Sequence, residues 1–359
     1  MIGMEVQYKD DAQRGSRHAV IMLGLFLLLL IAFGLSLSLG SVHIPLVALF
    51  GILTGGEVSS AAWAIIVHTI RLPKAITAVL AGAALSVSGL QMQTLFRNPL
   101  ADPFVLGISA GASLGVAIVV LTVGTVGSAL IAGLGFLGDL GLAVAAIMGA
   151  AAVLGCVLLV SRSVQSVMTL LILGLMFGYA TGAFVSILIY FSVPEQIQSY
   201  ILWTFGSFGS VTWRQMPVLI SAIFVGLLLA FLCIKPLNAL LLGENYARSM
   251  GLNVKRIRLW ILISASILAG ATTAFCGPIA FLGLAVPHLC RSLLHTSDHR
   301  VLMPAVTCLG ATLALLSDLI AHLPGSQFVL PLNAVTSLIG APIVIWFILH
   351  RKNLSQAFS

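Results

Sequence analysis

The strongest constraint in this sequence is where charge is missing. Between Arg214 and Lys235, and again between Arg258 and Arg291, no Asp, Glu, Lys or Arg interrupts the chain. Each run is long enough to cross a bilayer, which takes about 20 apolar residues. Backbone in hydrocarbon must satisfy its own hydrogen bonds, so such runs fold as helices. Between the two runs lies an island, Lys235 to Arg258, carrying Lys235, Glu244, Arg248, Lys255, Arg256 and Arg258. An island of this kind belongs in water, and its basic excess puts it on the cytoplasmic side. Its middle, Gly243 to Gly251, sets helix formers between two glycines, which suits a short helix with a glycine stop.

Composition settles the class. The 359 residues are 60% hydrophobic and only 8% charged, whereas a soluble domain carries roughly 25% charged residues. The expectation is an all-α polytopic membrane protein. A net charge of +7 does not point to nucleic acid, because the basic residues sit between apolar runs, where they set orientation.

Charge-free stretches predict ten spans: 20–40, 75–95, 104–123, 140–160, 168–191, 215–234, 259–276, 279–294, 301–320 and 332–349. The run after Arg258 is too long for one span, and Gly277-Pro278 breaks it into a helical hairpin. Residues 1–19, with Lys9, Arg14 and Arg17, read as a cytoplasmic tail before an uncleaved first span. The run from Ala19 to Gly40 exceeds a signal-peptide core and lacks a small-residue cleavage site. The membrane domain is then 20–350, with a cytoplasmic segment at 236–258 and a cytoplasmic tail at 351–359. With both termini inside, all seventeen Lys and Arg except Arg71, Lys74 and Arg214 fall on the cytoplasmic side. The five cysteines are scattered through apolar segments with no metal-ligand spacing, and read as packing residues.

Two glycine ladders, Gly107, Gly111, Gly115 and Gly174, Gly178, Gly182, return to one helix face every fourth residue. They serve close helix packing, or leave room beside a pathway for a bulky solute. Leu80-Ala81-Gly82-Ala83 with Gly89 recurs as Leu268-Ala269-Gly270-Ala271 with Gly277, a shift of 188 that also relates Pro99 to Pro287. The two copies cross the membrane in opposite directions, as in the inverted repeats of transporters. No glycine is followed by lysine, so no phosphate-binding loop is present. Asp318 is the chief ionisable residue within the spans. An ion-coupled carrier working alone usually needs intramembrane carboxylates as a relay, so the pattern favours energy supplied by another chain.

Three blocks carry a resemblance. RLPKA at 71–75 leads into LAGAALSVSGLQMQTLFRNPLADPFVLGISAGASLG, ending at Gly115; LLLGENYARSMGLNVKRIR spans 240–258; and FLGLAVPHLCRSLLHTSDHRVLMP, 281–304, continues to LPLNAVTSLIGAPIVIW at 330–346. Together they resemble the permease subunit of the iron-chelate, haem and cobalamin branch (FecCD-type) of ATP-binding-cassette (ABC) importers, with type II importer architecture.

The resemblance implies a dimer of ten-span permeases, from two copies of this chain or from a sister pair, in the bacterial cytoplasmic (inner) membrane. It also implies two cytoplasmic ATPase subunits and an extracytoplasmic binding protein. ATP and Mg are used by the partner ATPase, and the chain itself binds no cofactor and no metal. The cargo it suggests is an iron chelate, a ferric siderophore foremost, with haem or cobalamin as the alternative. By position, Glu244, Ala247, Arg248 and Gly251 fall on the ATPase-coupling helix and its stop. Glu244 and Arg248, four apart, also suit a simple surface pair. Asn98 and Leu100 fall on the cytoplasmic gate, where Asn98 also suits a helix cap. Arg71 and Lys74 match docking positions for the binding protein, or they snorkel at the outer end of the second span, with Pro73 marking its first turn. His322 stands where the family usually has arginine, a departure that makes that contact weaker or pH-sensitive. His288 and His299 read as hydrogen-bonded interfacial histidines rather than metal ligands.

Overall fold

The computed structural model describes residues 2–40, 42–55, 60–123, 140–161, 167–322 and 329–350, and the regular elements among them are helical. Helix α1 (Ile2–Ser38) leads through a short apolar helix, α2 (Leu46–Thr54), to α3 (Ala61–Ile65). A π-helical stretch, Ile66–Arg71, joins α3 to α4 (Leu72–Leu95). A turn and a 3-10 segment (Pro103–Leu106) enter α5 (Ile108–Ala117), followed by α6 (Gly141–Ser161), α7 (Val167–Tyr190) and α8 (Pro194–Thr204). Next, α9 (Met216–Leu232) bends by 50° into α10 (Ile234–Leu241). A six-residue helix, α11 (Glu244–Ser249), precedes α12 (Val254–Cys276), α13 (Leu282–Leu294), α14 (His299–Ala321) and α15 (Leu332–His350).

Among the described residues seven helices are long and apolar enough to cross a membrane, or up to eight if the bent α9–α10 pair is one span. Two shorter apolar helices, Ile108–Thr122 and Leu282–Leu294, lie where two further spans are expected. The expected tail 1–19 is not a separate element, since α1 already begins at Ile2. The expected tail 351–359 lies outside the described residues.

The second span also differs from expectation. It is the latter part of a 35-residue helix, Ala61–Leu95, so Pro73 sits inside a helix rather than on its first turn. Proline lacks an N–H and crowds the carbonyl four residues back. The π-helical stretch accommodates it: the Leu72 N–H reaches Val67 O, five residues back.

Helix α4 is the axis of the fold, with every residue from Ala81 to Leu95 buried. Small residues let its neighbours approach to backbone contact. A Cβ on Gly89 would lie 1.8 Å from Gly283 O of α13, and one on Gly82 would lie 2.2 Å from Gly310 O of α14. Polar side chains then bond across the helices: Ser88 Oγ donates to Ala265 O (3.0 Å), and Gln91 Nε2 donates to Ser264 Oγ (3.1 Å). Such interhelical bonds contribute about 0.6 kcal/mol each in membranes, so they fix register more than they stabilise. The first glycine ladder packs as expected, with Gly111 and Gly115 closing on Gly149 and Ala145 of α6. In the second, Gly174 meets Val105 O, whereas Gly182 has open space beside it.

Candidate functional site

The 23-residue α14 spans about 35 Å at 1.5 Å per residue, and its two ends carry different chemistry. One end gathers α11, the turn at 96–103 and the start of α14. The other gathers Arg71, Lys74, Asp318 and His322.

At the first end, α11 is bounded by two glycines in conformations that other residues rarely adopt, Gly243 at φ +106° and Gly251 at φ +80°. The Leu252 N–H bonds Ala247 O (3.1 Å) and the Gly251 N–H bonds Arg248 O (2.9 Å), closing the helix with a left-handed stop. Ala247 is fully buried, so it seats α11 on the protein and does not face outward. Glu244 binds inward as well as along the helix. It accepts from Arg258 at the root of α12 (2.6 Å) and from Arg248 (3.1 Å). Exposed apolar side chains surround this helix: Leu242 just before Gly243, Tyr246 within α11 and Met250 just after it, 64%, 50% and 59% exposed, with Arg248 beside them. Sequence reasoning missed these three. Each was visible in the sequence, but which side of so short a helix and its flanks points outward depends on where Ala247 packs.

Asn98 forms a local turn: its Oδ1 accepts the Leu100 N–H (2.9 Å), and its own N–H bonds Gln93 O at the end of α4 (3.1 Å). Arg97 before it adopts φ +46°, and its guanidinium lies beside Gly243 at the start of α11. Leu100 stands 39% exposed at the tip. Two contacts from α13 hold this turn and the helix above it. His288 Nε2–H donates to Pro99 O (2.7 Å), with its ring centre 4.1 Å from that of Phe347, and Arg291 Nη1 donates to Gln93 Oε1 (2.5 Å). His288 is thus a hydrogen-bonded interfacial residue, and so is the fully buried His299. Asp102, in the same turn, accepts the Phe104 N–H (2.9 Å), and desolvation pushes its carboxyl up to about 6.

At the far end, Arg71 is buried. It donates to Leu37 O (2.7 Å), Ser38 O (2.8 Å) and Val42 O. These include the last carbonyls of α1, which have no helical partner of their own. Lys74 Nζ lies 2.9 Å from Asp318 Oδ2, and His322 Nδ1 bonds Asp318 O (3.0 Å). The three residues read as docking positions therefore all have partners within the chain, and Lys74 keeps 17% of its side chain exposed. Among the described residues no group of three His, Cys, Asp or Glu could hold a metal ion.

A bundle of apolar helices around a buried polar axis, with a short helix seated at one end, is the architecture of a polytopic membrane protein, and the relatives of this chain make it a permease subunit. The chain belongs to the FecCD transport family, whose profile matches residues 28–350. It is 37% identical over 342 residues to the vitamin B12 import system permease protein BtuC of Klebsiella pneumoniae, covering 95% of this chain and 96% of that one. It is 36% identical over 334 residues to the hemin transport system permease protein HmuU of Yersinia pestis, covering 92% and 96%. A solved metal-chelate type ABC transporter in an inward-facing conformation superposes with a TM-score of 0.79 at 28% identity, covering 92% of this chain and 99% of that one.

Proposed function

We propose that this chain passes an iron chelate, a ferric siderophore foremost, across the bacterial cytoplasmic membrane as the permease of an ABC importer. It works as one of a pair, driven by two cytoplasmic ATPases and supplied by an extracytoplasmic binding protein. The observation that carries the reading is the exposed apolar cluster on and beside α11. Leu242, Tyr246 and Met250 are bulky apolar groups in a basic, water-facing segment, and such a patch marks a protein interface. Arg248 and the glycine stop at Gly251 make α11 a rigid lever between α10 and α12, and Glu244 ties that lever to Arg258.

In this reading the α11 end is cytoplasmic, both termini lie on that side, and the two shorter apolar helices complete ten spans. The inverted repeat in this reading rests on the recurrence of residues 80–83 and Gly89 at 268–271 and Gly277. The two repeat helices, α4 and α12, pack directly on each other, with α4 also on α13 and α14 and α12 also on α9 and α6. Asn98 and Leu100 narrow the inner mouth, and Lys74, Arg71 and His322 lie where the binding protein docks. Names of relatives support the cargo class: a metal chelate for the solved structure, vitamin B12 and hemin for the two curated permeases. Those last two names also favour cobalamin or haem as the second reading.

Cysteines replacing Tyr246 and Met250 test the interface. In the assembled complex a short bifunctional maleimide should join each to a cysteine in the ATPase cleft, whereas a cysteine at Val47, on α2, should give no adduct. Absence of adducts from both α11 positions contradicts the reading.

A further inference from the structure

One run of hydrogen bonds at the α11 end joins three helices that are remote in sequence. On α10, five residues before Gly243, Asn238 reaches across to the start of α14. Its Oδ1 accepts both the His299 N–H (2.9 Å) and the His299 ring at Nδ1 (2.7 Å), while its Nδ2 donates to Asp298 Oδ1 (2.6 Å). Asp298 Oδ1 also accepts the Arg300 N–H (2.8 Å), so α14 is capped jointly by its own Asp298 and by a side chain of α10. These partners fix the orientation of the Asn238 amide, since its oxygen faces a backbone N–H and its nitrogen a carboxylate. They also assign the imidazole tautomer: Nδ1 carries the hydrogen and Nε2 is an acceptor.

On the other side of the buried ring, His299 Nε2 lies 2.9 Å from Thr94 Oγ1. Thr94 is in the last turn of α4, and Asn98 hangs from that turn through Gln93 O. The Thr94 hydroxyl has one hydrogen and two acceptors at equal distance, His299 Nε2 and Leu90 O of its own helix (2.9 Å). Turning toward His299 locks α4 to α14 and α10. Turning toward Leu90 breaks that link and keeps the hydroxyl bonded, while the buried His299 Nε2 loses its donor. This arrangement is therefore the less favourable of the two until movement of α10 or α14 draws the ring away.

We propose that Asn238, His299 and Thr94 form a latch that carries movement of α11 to the turn at Asn98, with Thr94 as its switching member. The proposal rests on reading α11 as the ATPase contact and Asn98–Leu100 as the gate. Two discrete arrangements of one hydroxyl provide the bistable element that coupling between distant sites needs. Thr94 and His299 are positioning residues, since neither touches cargo or nucleotide in this account.

The test uses the full complex with its ATPase in proteoliposomes, carrying Leu100→Cys as reporter and Cys156→Ser to remove the exposed native thiol. Maleimide labelling of the reporter is followed with and without MgATP and vanadate. Thr94→Val should reduce the nucleotide-dependent change in labelling rate by about five-fold or more while ATP hydrolysis stays within about two-fold, and Thr94→Ser should restore the response. An undiminished response in Thr94→Val overturns the latch and leaves the gate reading standing. A parent reporter blind to nucleotide overturns the gate reading and the latch with it. Should Thr94→Val fail to assemble, Asn238→Ser is measured the same way, with the same loss expected and an intact response overturning the latch.

Discussion

Gly251 sits at φ +80° with nothing within 4 Å of where a Cβ would stand. A side chain there meets no neighbour, so the cost of Gly251→Val is confined to the backbone, about 1–2 kcal/mol for a left-handed residue. The helix stop should relax while the membrane helices stay folded. The expected outcome is normal insertion with transport lost and ATP hydrolysis retained, read as cargo moved per ATP; normal transport contradicts the lever. Asp102 makes a different prediction. Its folded pKa, about 6, lies above the ordinary 3.8. The folded state therefore keeps a proton between those values that the unfolded chain has lost. Stability from the neutral carboxyl is complete below about pH 4 and fades as pH rises through 6. Asp102→Asn mimics the neutral acid and keeps the cap. In detergent it should melt above the parent at pH 7, by on the order of 1–2 kcal/mol, with the gap closing toward pH 4.5. A gap that does not vary with pH contradicts this assignment.

Between helices, the far end of the bundle separates two roles that adjacent residues share. Arg71 satisfies three carbonyls between α1 and α2, and an unmet buried acceptor costs about 1–3 kcal/mol. Arg71→Gln should therefore lower the melting temperature clearly, whatever it does to docking. Lys74 pairs with Asp318 but stays partly accessible, so an incoming carboxylate can exchange with Asp318. Lys74→Gln should reduce affinity for the binding protein by about three- to ten-fold at low salt, with the loss shrinking as salt rises. Unchanged affinity at low salt would leave Lys74 a purely internal partner of Asp318. The sequence exposed Arg71 and Lys74 as charges stranded against the inside bias. Their partners were not legible, because Leu37, Val42 and Asp318 are brought near only by packing of α1 and α14 on α4. The same holds for Pro73. It reads as a helix start, and only the π-helical stretch before it lets the helix continue.

At the scale of the molecule, bilayer thickness wrote the fold into the sequence plainly. Charge-free runs match the long apolar helices, Gly277 and Pro278 mark the break between α12 and α13, and the two glycines around α11 marked a helix with a stop. What stayed hidden is the set of contacts that connects those parts. Nothing local in Asn238, His299 or Thr94 announces that they meet, since each is an ordinary polar residue near a helix end. The central claim is that this assembly converts ATP hydrolysed by a partner into movement of a metal chelate. The direct measurement is uptake into proteoliposomes holding the chain with its ATPase and binding protein, against a panel of ferric siderophores, haem and cobalamin. Accumulation of one cargo that needs all three proteins and internal MgATP, with no hydrolysis or uptake by the purified chain alone, is the result the account predicts. Uptake by the chain alone, driven by a proton or sodium gradient and indifferent to ATP, would contradict it.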